Sequence, residues 1–185
     1  MKKEIMDIFF KGYFNKIDNA TKLANHNELI ISSELITKTN QNGGKVIIVG
    51  NGGSASIASH VSIDFTKAAN IRAITFNESS LITCFANDYG YQYWVENALE
   101  FYAEKNDIVI LISSSGESDN ILNGANKVKE LGLPLITFSG FSADNRLRKT
   151  GDINFWVDSE SYNLIEIVHQ TWILSIVDFI IYKDL

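Results

Sequence analysis

Apolar residues recur with a helical period from about Ile5 to Leu35, at Ile8, Phe9, Ile17, Leu23, Ile30, Ile31 and Leu35. That spacing predicts one leading helix. Asn40-Gln41-Asn42-Gly43-Gly44 ends it, because asparagine and glycine tolerate the positive φ of a tight turn. Beyond that point short apolar runs alternate with helical segments. Lys45–Gly50, Ile71–Phe76, Asp107–Ile112, Pro134–Phe138 and Ile153–Val157 read as strands. The runs around Ile47 and Ile110 are continuous rather than alternating, which predicts strands covered by helices on both faces. Helices are predicted over Ala55–Lys67, Ser79–Ala86, Tyr91–Tyr102 and Ser118–Leu131. A last one, Tyr162–Tyr182, is apolar nearly all round, and such a helix is expected to be sandwiched, here between the sheet and another subunit. The alternation predicts an α/β fold on a doubly wound parallel sheet. Residues 1–185 read as a single domain, with 1–40 as an N-terminal helix and 45–185 as the α/β core.

Composition narrows the class. Of 185 residues 45% are apolar, enough for one core and too few for two large ones. Charged residues make up 21% with a net charge of -6, which excludes a disordered chain and argues against a nucleic-acid partner. The densest basic run, Arg146, Arg148 and Lys149, is too short to be a footprint. Cys84 is the only cysteine, so no internal disulfide can form and a cytoplasmic location is expected. No signal peptide and no run of 18 apolar residues is read, so no membrane association is expected. Cys84 itself reads as a small buried residue. His26 reads as structural or solvent-facing, and Tyr93, Trp94 and Tyr102 as core or interface.

Ligands of doubly wound sheets sit beyond the carboxyl ends of the strands. Two strand-to-helix turns there suit an anion. Gly50-Asn51-Gly52-Gly53-Ser54-Ala55 lets the backbone approach closely, with the unpaired N–H groups of the next helix pointing at the ligand. Ser113-Ser114-Ser115-Gly116-Glu117-Ser118 gathers four hydroxyls around a glycine at a helix start, a neutral donor nest for phosphate. A dinucleotide is disfavoured, since no acidic residue stands about 20 positions on to hold a ribose. Neither turn is followed by a Walker lysine, which disfavours nucleoside triphosphates. Two anion-suited turns on parallel strands point to a phosphorylated small molecule.

Val49-Gly50-Asn51-Gly52-Gly53-Ser54-Ala55, Asn87-Asp88-Tyr89-Gly90-Tyr91 and Ile112-Ser113-Ser114-Ser115-Gly116-Glu117-Ser118 resemble the sugar isomerase (SIS) domain, and within it the phosphoheptose isomerases. The resemblance spans nearly the whole chain. It implies a flavodoxin-like five-stranded sheet (the SIS fold), a homotetramer with shared sites, and zinc in the site of many members. It also implies interconversion of sedoheptulose 7-phosphate and an aldoheptose phosphate for surface polysaccharides. Under it Ser113, Ser114, Ser115 and Ser118 would hold the phosphate. Asn51, Gly52, Gly53 and Ser54 would line the sugar, and Asp88 would bind a hydroxyl. Glu117 and Asp119 are expected to turn to solvent, away from the dianion.

His60 and Asp64, four apart on one helix face, suit either a metal or proton transfer. The family carries glutamate, its base, where this chain has the shorter Asp64. It also carries a glutamine and, two turns on, an acid/base histidine in the last helix, and that position falls near Ile173. Glu166, His169, Gln170 and Ile173 are spaced along one helical stripe. His169 is therefore expected to take over acid/base work with Asp64, Glu166 orienting it. His60, Asp64, Glu166 and Gln170 are the candidate metal ligands. The competing reading of that stripe is a satisfied intersubunit hydrogen-bond network. The rival functions are a non-catalytic phosphosugar sensor, an isomerase of another phosphosugar, and a nicotinamide-dependent oxidoreductase.

Overall fold

A computed structural model describes residues 2–183. Five strands are all parallel in the order β2-β1-β3-β4-β5. They are β1 Val46–Gly50, β2 Ala73–Thr75, β3 Ile108–Ser113, β4 Leu135–Ser139 and β5 Ile153–Trp156. The order reverses between β1 and β3, the switch point of a flavodoxin-like sheet, and both anion-suited turns leave the sheet there. The helices are α1 Lys2–Thr21, α2 His26–Gln41, α3 Gly53–Lys67, α4 Ser79–Tyr89, α5 Trp94–Tyr102, α6 Asp119–Glu130 and α7 Tyr162–Lys183. A single 3-10 turn, Tyr91–Tyr93, joins α4 to α5.

Strand residues alternate between two cores, which is why the central runs are apolar without a break. Val46, Ile48, Ile110 and Phe138 face α2, α3 and α7, where they meet Ile36, Phe65, Trp172 and Ile176. Ile47, Val49, Val109 and Leu111 face α5 and α6, where they meet Trp94, Leu99, Ile121 and Val128. The expected strands appear within a residue or two, except β2, which shrinks to three residues at the sheet edge.

The leading segment departs from expectation. It is two helices, broken over Lys22–Asn25, where Asn25 caps α2 through its side-chain oxygen. Periodicity ran through the break because Leu23 continues it, yet Leu23 is exposed. The Trp172 indole N–H donates to the Thr21 carbonyl at 2.8 Å and ties the end of α1 to α7. Helix α7 is long and apolar enough to cross a membrane by length and composition, but half of its most apolar window is buried. It packs against β4 and against α1, α2 and α3 of its own chain, so its sandwiching needs no second subunit.

Smaller expectations also resolve. Trp94 is core, whereas Tyr93 and Tyr102 are exposed. His26 opens α2 on the surface. Cys84 is exposed, not buried, because α4 holds no buried residue.

Candidate functional site

A cavity of about 110 Å³ lies beyond the ends of β1 and β3, lined by Asn51, Ser54, Ile112, Ser113, Ser114, Ser115, Ser118, Tyr162 and Glu166. The serine turn is held open by the backbone. Gly116 has φ +68, and a Cβ there would run into the Asn145 side chain. Buried Asn145 fixes the turn from below, donating to Ser139 Oγ, Gly140 O and Ser142 O. Ser113 Oγ donates to Ser118 Oγ at 3.2 Å and accepts from the Gly116 N–H. Ser118 stands at the N-cap of α6, but its hydroxyl caps no backbone N–H. Ser114 Oγ is buried with no partner. An unpaired buried hydroxyl costs about 1–3 kcal/mol, so Ser114 stands ready for an incoming acceptor.

Nearby acidic groups are kept away from this nest. Glu117 takes the Arg146 N–H at 2.8 Å and its guanidinium at 2.6 Å, which holds the Glu117 carboxyl below the ordinary glutamate range. Asp119 lies 3.6 Å from the same guanidinium. Arg146, from the short basic run that was too small for a footprint, thus draws the acids off the serine turn.

The glycine turn is locked to the serine turn. Asn51 and Asn120 exchange two amide hydrogen bonds of 2.9 Å each, and Tyr91 Oη donates to Asn51 Oδ1 at 3.2 Å. Asn51 therefore lines the cavity with its amide already engaged. Gly52 is the N-cap of α3 and Gly53 its first residue. A Cβ on Gly53 would overlap the Glu166 carboxylate, so glycine here is what allows α7 to place an acid at the helix start. Burial pushes the Glu166 carboxyl up from the usual range.

His60 and Asp64 follow two and three turns along α3. His60 Nε2 lies 3.1 Å from Asp64 Oδ2, and the Gln170 amide nitrogen lies 2.8 Å from His60 Nδ1. The cluster is half open to solvent, with 49% and 35% of the His60 and Asp64 side chains exposed.

The stripe on α7 splits. Glu166 and Gln170 face α3, whereas His169 and Ile173 are wholly buried. His169 Nε2–H donates to the Ser139 carbonyl at 3.0 Å, its ring sits against Phe138, and its Nδ1 has no partner. Burial lowers its pKa to about 4. The expectation that His169 performs acid/base work is corrected: it is a neutral core residue, buried against the end of β4 and absent from the cavity lining. Steps of three and four residues carry side chains to opposite flanks of a helical stripe, and here the sheet takes one flank. Ile173 shares that buried flank, and the next residue, Leu174, is apolar as well. No proton-transfer group stands two turns beyond Glu166.

Asp88 also falls elsewhere. It is exposed on α4, accepts from the Asn87 amide at 2.9 Å, and does not line the cavity. Sequence reasoning missed Asn120, Tyr91 and Asn145. Asn120 and Asn145 are buried polar residues near the two turns, a signal that chain position alone does not reveal.

Among the described residues no three His, Cys, Asp or Glu side chains come together as metal ligands. His60 and Asp64 converge, but Glu166 is turned to the start of α3 and Gln170 is a neutral amide. Two strong donors stand where a catalytic zinc takes three, and both His60 ring nitrogens are already engaged. The set as arranged does not fit zinc.

A family model described as SIS domain matches residues 10–140. Phosphoheptose isomerase of Thermodesulfovibrio yellowstonii is 33% identical over 176 residues, covering 91% of this chain and 87% of the relative. Phosphoheptose isomerase of Helicobacter pylori is 34% identical over 149 residues, covering 77% of each. Among solved structures, phosphoheptose isomerase from Neisseria gonorrhoeae superposes with a TM-score of 0.87 at 23% identity, covering 97% of this chain and 98% of that one.

Proposed function

Because the chain belongs to the phosphoheptose isomerase family of SIS-domain proteins, we propose that it interconverts sedoheptulose 7-phosphate and the aldoheptose 7-phosphate. The observation that carries this reading is the serine nest, which lines the cavity beyond β1 and β3 and includes the buried, unpartnered hydroxyl of Ser114. The phosphate binds at Ser113, Ser114, Ser115 and Ser118, neutralised by hydroxyls and the start of α6 rather than by lysine. The sugar runs past Ser54 and Glu166. His60 lies seven residues beyond Gly53, about 10 Å along α3, a reach that suits an extended seven-carbon chain.

Asp64 takes the C1 proton of the ketose, giving a cis-enediolate, and returns it to C2. His60 shuttles the hydroxyl proton between O2 and O1. Glu166, with its raised pKa, holds a sugar hydroxyl. A homotetramer belongs to this proposal. Its support is the apolar surface of α1, where Ile5, Met6, Phe9, Phe10 and Phe14 are each more than half exposed.

The test is turnover of sedoheptulose 7-phosphate by the full chain. Asp64→Asn is expected to abolish it while leaving phosphosugar binding within a few fold. Wild-type protein that neither turns over nor is thermally stabilised by the sugar phosphate would sink the proposal.

One observation favours a second reading, a phosphosugar sensor. The face of α7 that carries Glu166 has only apolar Leu174 two turns on. A sensor binds the sugar phosphate and shows no turnover at any metal concentration.

A further inference from the structure

Gln170, on α7, hydrogen-bonds His60 of the His60–Asp64 pair. Resting on the isomerase reading above, we propose that Gln170 is a positioning residue. It holds His60 as the Nε2–H tautomer and so makes His60 and Asp64 a proton-transfer pair rather than a metal centre.

Asp64 sets the direction of this chain of hydrogen bonds. An ionised carboxylate can only accept, so His60 Nε2, 3.1 Å from Asp64 Oδ2, carries the ring proton and donates it. A neutral imidazole has one proton, which leaves Nδ1 as an acceptor. The atom 2.8 Å from Nδ1 must then be the amide nitrogen of Gln170, donating, as observed. The chain runs from the Gln170 N–H to the imidazole to the carboxylate, with each donor meeting one acceptor. A residue on α7 thereby supports one ring tautomer in a pair on α3. The helices are packed together, and Gln170 is half-buried, so the amide is held where the ring needs it.

The reverse arrangement would do different chemistry. With an acceptor facing Nδ1–H, the Nε2 lone pair would point at the Asp64 carboxylate. That contact is repulsive unless a cation lies between them. An acceptor behind a ligating histidine is the arrangement metal sites use to fix the ring, and altering such a partner typically changes affinity about 10–100-fold. Glutamate at this position must accept, whereas glutamine can donate. Glutamine at 170 therefore explains why two converging strong donors do not amount to a zinc site.

Long-range 15N–1H correlation on the metal-stripped full chain at neutral pH reads the tautomer, with His60→Gln identifying the signals. The wild type is expected to show an unprotonated Nδ1 and a protonated Nε2. Gln170→Glu should place a proton on Nδ1 and bind zinc, titrated alone in a calorimeter, at least about tenfold tighter. Gln170→Leu should weaken the tautomer preference, gain no zinc affinity, and lower kcat more than it raises KM. A wild-type ring protonated on Nδ1 or on both nitrogens overturns the assignment, as does zinc affinity unchanged by Gln170→Glu. The spectra and titrations need no sugar. Absent turnover with the expected tautomer would therefore remove the isomerase reading and leave the role of Gln170 standing.

Discussion

Asn51 and Asn120, 69 residues apart, exchange a pair of amide hydrogen bonds that join the glycine turn after β1 to the first turn of α6 after the serine nest. The two halves of the ligand cavity are thus one rigid unit before any ligand arrives. Replacing Asn120 with alanine leaves the half-buried Asn51 amide without its main partner. A loss of about 1–3 kcal/mol is expected, read from urea denaturation midpoints, together with weaker phosphosugar binding. Unchanged stability with unchanged binding would show that the pair is incidental.

Ser114 separates stability from function in the opposite sense. Its buried hydroxyl is unpartnered in the free protein, so Ser114→Ala removes a group that costs more than it contributes. Stability should hold or rise by up to about 1 kcal/mol, while phosphosugar affinity falls about tenfold for the loss of one charge-assisted hydrogen bond. Calorimetric titration with the sugar phosphate beside thermal unfolding would check both halves. A variant that binds as tightly as wild type would place the phosphate elsewhere.

Arg146 acts at one remove from the ligand. It holds Glu117 and draws Asp119 away from the nest. Arg146→Ala frees two carboxylates near a dianion, so KM should rise several-fold with kcat little changed. The defect should shrink as salt screens the repulsion, whose range at physiological ionic strength is about 8 Å. A KM that does not respond to salt would exclude this electrostatic account.

His169 predicts a pH dependence of stability. Its pKa is about 4 in the fold, against the ordinary histidine value of 6.5. Between those values the unfolded chain binds a proton that the folded chain refuses, so stability falls as pH drops from about 6.5 to 4 and is level above. The full span corresponds to about 3 kcal/mol, at 1.36 kcal/mol for each pKa unit. Urea midpoints of the wild type should therefore fall more steeply over that window than those of His169→Asn. Parallel curves would mean that His169 titrates normally.

The chain's own pattern was enough for the five strands, the flanking helices and the two turns that line the cavity. Each rests on local physics: the apolar period, the turn chemistry of glycine and asparagine, and serine hydroxyls at a helix start. Family motifs could be read for the same reason, since they lie in those turns. What tertiary structure alone decided was which side of a helix meets which neighbour. On α7 a difference of one residue sends His169 into the core and leaves Gln170 against His60, and the sequence stripe gave no sign of which flank the sheet would claim. Asp88 was legible as a turn residue, yet the surface position of α4 within the chain holds it away from the cavity. Asn51 could be seen as a cavity residue, but its pairing with Asn120 needed β1 and β3 to lie side by side, 69 residues closed up by the parallel sheet. Periodicity specifies that a face exists; only packing specifies what that face touches.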